Sequence, residues 1–188
     1  MKKRLYIIPG FNETTREKAY LQIKKIATRK GYDVFPINIS WKYKTGSDWL
    51  EEARGKILKD NNKEIDSSIL GFSFGALIAI ELSKEFQFNN MYICSLSPYY
   101  SEDLKFIPKS ATSWLGKRRI NDFKKKTFNP NNSTKATFMV GDSEWDFAKD
   151  KIKERYNKWG GPKSLKIIKG SDHYIGNSAY LKQIEKEI

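Results

Sequence analysis

The order of apolar and polar residues predicts an α/β protein: a doubly wound, mainly parallel sheet with helices on both faces, an α/β/α sandwich in three layers. Apolar runs of strand length alternate with amphipathic stretches of helix length along the 188 residues. The strand-like runs are continuous rather than alternating, the pattern of a sheet covered on both sides. A third observation is the segment Gly71-Phe72-Ser73-Phe74-Gly75, set between the apolar runs Ser68-Ile69-Leu70 and Ala76 to Ile80. That is a strand, a sharp turn and a helix in succession.

Six runs read as strands: Leu5 to Ile8, Asp33 to Ile39, Ile69 to Phe72, Met91 to Ser95, Ala136 to Val140 and Leu165 to Ile168. Pro36 lacks an N–H, which moves the second of them towards a sheet edge. Between the strands, Thr14 to Arg29 carries Ala19, Ile23 and Ile26 at helical spacing, and Thr14 with Glu17 forms a capping-box pair at its start. Trp49 to Lys59, Leu77 to Phe86, Ala148 to Trp159 and Tyr180 to Ile188 read as further helices. Tyr99 to Thr134 mixes proline, serine and charge and predicts a loop with short helices. No repeat or low-complexity linker interrupts the chain, so residues 1–188 read as a single domain.

Composition narrows the class. A hydrophobic content of 39% suits a packed globule rather than a disordered chain. The single cysteine, Cys94, lies in an apolar run, which rules out an intrachain disulfide, marks it as a core residue and fits a reducing, cytoplasmic setting. The basic start Met1-Lys2-Lys3-Arg4 is followed by an apolar run that stops at Pro9-Gly10, shorter than the roughly 7–15 residues of a signal-peptide core. No apolar stretch approaches the roughly 20 residues needed to span a bilayer. The formal net charge of +13 raises nucleic acid as a partner, but the lysines are spread along helix faces and no recognised nucleic-acid motif accompanies them. The densest basic stretch is Lys117-Arg118-Arg119 followed by Lys124 to Lys126.

In an open α/β sheet, ligands collect beyond the carboxyl ends of the strands. Pro9-Gly10-Phe11-Asn12 follows the first strand, Ser73 the third, and Ser97 to Tyr100 the fourth. Gly141-Asp142-Ser143-Glu144-Trp145-Asp146 follows the fifth, and Gly170-Ser171-Asp172-His173-Tyr174 the sixth. G-x-S-x-G in a strand-turn-helix setting is the nucleophile elbow, where glycines make room and the turn lifts the serine hydroxyl above the sheet. A serine nucleophile needs a base, and His173 is the only histidine in the chain. It falls at the sheet edge where that base is required. Asp172, its neighbour in sequence, is badly placed to orient it. One histidine and one cysteine cannot make a His/Cys zinc site, so neither metal nor cofactor is expected. Phe11, Trp41, Phe74, Tyr99, Tyr100 and Tyr174 fall on loops at this edge; of these Tyr99, Tyr100 and Tyr174 are the candidates to line an acyl pocket.

With serine, acid and histidine in that chain order, the sequence resembles the α/β-hydrolase superfamily, in particular its small members without a large cap domain. It is similar in length and layout to the retinoblastoma-binding-protein-type serine hydrolases, over nearly the whole chain. The resemblance rests on Gly71 to Gly75, the acidic turn after Gly141, and Gly170 to His173. It implies a six-stranded sheet of order 2-1-3-4-5-6 and a Ser-His-acid triad with Ser73 as nucleophile and His173 as base. The family's usual Gly-x-x-Asp pattern places Glu144 at the acid position; Glu there is a departure, and Asp142 and Asp146 stay open as alternatives. The resemblance also implies an oxyanion hole from the Phe74 amide and a loop amide after the first strand, Phe11 with Asn12 as the alternative. Pro9-Gly10 stands where many relatives have His-Gly. The expected activity is hydrolysis of a small carboxylic ester or thioester through an acyl-enzyme. Two other readings are a catalytically inactive binding protein of the same fold, marked by a misplaced acid, and a basic protein associated with nucleic acid.

Overall fold

A computed structural model describes residues 3–60, 66–129 and 133–188. The basic start at residues 1–2 and part of the Tyr99 to Thr134 stretch, residues 130–132, lie outside the described residues. The strands are β1 (Lys3–Ile8), β2 (Tyr32–Pro36), β3 (Asp66–Phe72), β4 (Asn90–Cys94), β5 (Lys135–Gly141) and β6 (Lys163–Ile168). The helices are α1 (Lys18–Arg29), α2 (Gly46–Asp60), α3 (Phe74–Leu82), α4 (Lys109–Ser113), α5 (Gly116–Phe123), α6 (Asp146–Lys158) and α7 (Ser178–Glu187). The sheet runs β2-β1-β3-β4-β5-β6, and every pairing in it is parallel.

Successive side chains of the strands enter opposite cores. Leu5, Ile7, Leu70 and Phe72 pack with α1 and α7 through residues such as Tyr20, Ile23 and Tyr180. Tyr6, Ile8, Ile69 and Phe138 pack with α2, α3 and α6 through Trp49, Leu77 and Ile152. Both faces are therefore apolar, which is why the strands read as unbroken hydrophobic runs.

Several boundaries shift for local chemical reasons. β2 ends at Pro36 rather than Ile39: the last ladder bond is the Ile37 amide to the Ile7 carbonyl at 2.9 Å, and Pro9, next in turn to donate from the β1 side, has no N–H. α2 starts three residues ahead of Trp49: the Thr45 amide donates to Asp48 Oδ2 at 2.7 Å and the Asp48 amide to Thr45 Oγ1 at 3.4 Å, a reciprocal cap. At α1, Glu17 reaches back to the Thr14 amide at 2.9 Å as expected, but its own amide bonds the Thr14 carbonyl, so a turn precedes the helix. α3 begins at Phe74 and is buried along its whole length, so it has no polar face and is the central helix of its layer rather than an amphipathic one. Within the Tyr99 to Thr134 stretch, the expected short helices are a 3-10 turn (Leu104–Phe106), α4 and α5.

This stretch is anchored by an ion pair that hydropathy does not reveal. Asp103 and Arg155 are both buried, with Arg155 Nη2 donating to the two carboxylate oxygens at 2.6 and 2.7 Å. The guanidinium also lies near the Tyr100 and Phe128 rings, at 5.3 and 4.8 Å. Among the described residues no helix is long and apolar enough to cross a membrane.

Candidate active site

The turn after β3 is shaped by two close approaches. A Cβ on Gly71 would come within 2.3 Å of the Gly75 carbonyl oxygen, and one on Gly75 within 2.3 Å of the Ile8 oxygen. Only glycine fits at either place, so the helix can follow the strand with no spacer. Ser73 pays for this turn in backbone strain: φ is 56° and ψ −117°, outside the regions a serine ordinarily occupies. The Ser73 amide donates to the Cys94 carbonyl at 2.9 Å, which ties the strained residue to β4.

Loops after β5 and β6 bring the partners. His173 Nε2 lies 3.0 Å from Ser73 Oγ, and its Nδ1 lies 2.8 Å from Glu144 Oε2. A carboxylate can only accept, so Nδ1 carries the proton and Nε2 is left to accept from the serine. The Phe72 ring sits beneath the imidazole at 5.1 Å. Glu144 is buried, and its other oxygen accepts from Ser95 Oγ at 2.5 Å and from the Gly141 amide at 2.9 Å. Those bonds turn the carboxylate inward to the histidine.

The other two carboxylates of the acidic turn face elsewhere. Asp142 accepts from its neighbour Ser143 Oγ at 3.1 Å and from the Gly170 amide at 2.8 Å, the second a staple between the β5 and β6 loops. Asp146 is 91% exposed and pairs with Lys149, whose hydrogen bond holds its carboxyl below the usual range. Of the three candidate acids, Glu144 is the one brought to His173.

The remaining predicted residues divide. Tyr99, Phe11 and Phe74 line a cavity of about 300 Å³ over Ser73, together with Leu96, Trp114 and Trp145. Phe74 stacks on Tyr99 at 4.9 Å, and Phe11 meets Phe74 at 5.6 Å and Trp114 at 5.0 Å. Asn12 has a left-handed backbone, φ 62°, at the end of the β1 turn. Tyr100 and Tyr174 are placed away from this lining. Tyr100 is wholly buried against Phe128 and the Arg155 guanidinium, because that buried cation needs a partner ring. Tyr174 is about half exposed, with its ring folded over Gly176. Trp41 is buried at the edge of Phe11 and Trp49.

Sequence reasoning did not single out Ser95, Ser97 or Tyr180. Ser97 Oγ lies 2.9 Å from Ser73 Oγ. Ser95 donates to Glu144 from a left-handed backbone, φ 47°, and Tyr180 Oη lies 2.9 Å from Ser95 Oγ and 3.0 Å from the Met139 carbonyl, two acceptors that share its single proton. Burial pushes the Tyr180 hydroxyl well above its ordinary pKa, so it serves as a neutral donor. A run of serines after a strand end was visible, but a tyrosine at helical spacing reads as core. Among the described residues no group of three His, Cys, Asp or Glu side chains is placed to hold a metal ion.

All-parallel order 2-1-3-4-5-6, the strained serine between β3 and α3, and histidine and acid on the next loops define the α/β-hydrolase fold, and this chain has it. No protein-family model and no curated protein matches the sequence. Solved structures do. The chain is similar to alpha/beta hydrolase domain-containing protein 10 from mouse, with a TM-score of 0.81 at 10% identity over 98% of this chain and 87% of that one. It is similar to Est1E from Butyrivibrio proteoclasticus, with a TM-score of 0.72 at 14% identity over 99% and 85%. The RedJ thioesterase of the prodiginine biosynthetic pathway in Streptomyces coelicolor aligns with a TM-score of 0.64 at 12% identity over 98% and 85%. At such identities the likeness is one of fold.

Proposed function

We propose that this protein is a serine hydrolase that cleaves a small carboxylic ester or thioester. The observation that carries the reading is the unbroken hydrogen-bonded chain from Ser73 through His173 to the buried Glu144. Esterase and thioesterase examples among similarly folded structures favour an acyl substrate. The apolar lining of the cavity over Ser73 suits a small acyl group.

In the proposed reaction, Ser73 Oγ attacks the carbonyl carbon while its proton passes to His173 Nε2. Glu144 steadies the imidazolium through Nδ1. The tetrahedral oxyanion is received by the amide of Phe74 and that of Phe11, or of Asn12 in its place, each such donor contributing roughly 3–4 kcal/mol. The bond to the alcohol oxygen or thiol sulfur breaks, and the leaving group takes the proton from His173. Water, deprotonated by the same nitrogen, then frees the acid and restores Ser73. The well-placed acid favours turnover over a binding-only role, for which a misplaced carboxylate was the expected mark.

A fluorophosphonate probe tests this directly. It is expected to label the wild-type protein, to fail on Ser73→Ala, and to label His173→Ala far more slowly. Labelling of Ser73→Ala at the wild-type rate would remove Ser73 from the reaction.

A further inference from the structure

Beside the cavity over Ser73 lies an open groove of about 560 Å³, and the Phe11 and Trp114 rings are walls of both. Its character is different: Lys42, Lys44, Arg118 and Arg119 line it, with Tyr43 on its rim and no carboxylate among its lining residues. The charges are not equally spent. Lys44 pairs with Glu52 at 2.8 Å, and Arg118 lies 3.7 Å from Asp48. The Arg119 guanidinium donates to the Lys44, Leu115 and Trp41 carbonyls and lies 5.3 Å from the Phe11 ring, so among the described residues its charge meets no carboxylate. Lys42 is exposed and makes no ion pair among the described residues.

The groove is also built rather than incidental. The 41–44 loop is strapped to α5 through Arg118 Nη1 on the Tyr43 carbonyl at 3.3 Å and the two Arg119 bonds to Lys44 and Trp41 at 2.9 and 3.1 Å. The strap holds Tyr43 in a left-handed backbone, φ 57°, with its ring 90% exposed. A bulky residue held in strain and presented to solvent costs folding energy without packing anything, which is the pattern of a surface kept for a ligand. Trp114 is about half exposed on the same groove.

Resting on the hydrolase reading, we propose that the substrate extends from Ser73 past the Phe11–Trp114 wall into this groove, and that its far end carries an anionic group, a carboxylate or a phosphate. The scissile carbonyl sits in the apolar cavity, the linking part runs along the shared rings, and the anion meets Lys42 and Arg118.

Two matched substrate pairs test the idea. Butyryl-coenzyme A against S-butyryl-N-acetylcysteamine places the charge on the leaving group, and mono-p-nitrophenyl glutarate against p-nitrophenyl valerate places it on the acyl group. In at least one pair the anionic member is expected to have the higher kcat/KM at low salt. Lys42→Glu and Arg118→Glu are each expected to lower that anionic-to-neutral ratio about fivefold, as a surface attraction becomes a repulsion. Lys182→Glu, the same charge change on the opposite face in α7, is the control and should leave the ratio alone. The proposal is overturned if neither pair shows an anionic preference, if the ratio is indifferent to both groove variants, or if Lys182→Glu lowers it equally. Binding gives a readout that needs no turnover: in Ser73→Ala, tryptophan quenching by butyryl-coenzyme A or by mono-p-nitrophenyl glutarate should weaken about fivefold on adding Lys42→Glu. Unchanged affinity for both defeats the groove assignment. Loss of fluorophosphonate labelling in the wild type would instead defeat the hydrolase reading alone.

Discussion

At the scale of single residues, the site turns on which oxygen faces which nitrogen. Glu144 is buried with both oxygens occupied, one by Ser95 and Gly141 and the other by His173. Removing its charge therefore disturbs the imidazole, whereas Asp142 and Asp146 bond only loops and lysine. Glu144→Gln is expected to lower kcat on a p-nitrophenyl ester by at least about 100-fold, by analogy with loss of the triad acid elsewhere. Asp142→Asn and Asp146→Asn are expected to stay within about threefold of wild type, the scale of ordinary surface changes. The reverse ranking would transfer the role to the other carboxylate. Ser73 and His173 were legible in the sequence as a pair because the elbow pattern is local and the histidine is solitary. Glu144 was legible only in part: the pattern after Gly141 put it ahead of Asp142 and Asp146, but three carboxylates share one turn, and it is the Gly141 amide and the Ser95 hydroxyl that turn this one inward.

At the scale of elements, helix positions were readable from periodicity while their ends depended on side-chain caps. α2 is an example, and it carries a testable charge. Partial burial pushes the Glu52 carboxyl up, but hydrogen bonds from Lys44, Lys56 and the Ser40 amide outweigh it and hold the pKa at about 2. Because the folded value lies below the ordinary 4.5, the unfolded chain binds the proton more readily. Glu52 thus stabilises the fold above about pH 4.5, and that contribution fades as pH falls towards 2. The difference in urea midpoint between wild type and Glu52→Gln is expected to be positive at pH 6 and to shrink steadily between pH 4.5 and 2; a pH-independent difference would contradict this.

At the scale of the whole molecule, the sheet order and the two apolar cores followed from the pattern of runs, because a parallel sheet covered on both faces leaves few other arrangements. The buried Asp103–Arg155 pair was illegible: a charged residue on an otherwise polar helix reads as solvent-exposed, and its partner lies 52 positions away. The same pair accounts for Tyr100, which reads as a pocket residue from its place after β4 but is drawn beneath the surface to cover the guanidinium. Arg155→Ala leaves the buried Asp103 with Lys151, 3.3 Å away, as its remaining cation, and is expected to cost about 3 kcal/mol in urea unfolding. Asp103→Leu combined with Arg155→Met should recover most of that loss. A single-variant cost below about 1 kcal/mol would mean the pair anchors nothing.

The enclosure of α3 has a consequence for how the molecule loosens. β3 and α3 lie at the centre of the fold, with α3 buried residue by residue, so their amides exchange with solvent only when the whole domain opens. β6 is a sheet edge, mostly part-exposed, and it carries the turn that ends in His173. The serine therefore belongs to the central part of the chain and the imidazole to a turn on the sheet edge, held there by the staple from Asp142 to the Gly170 amide. Fraying of the edge is expected to part Ser73 from His173 while the elbow stays intact, a loss of the contact that closing the edge reverses without refolding.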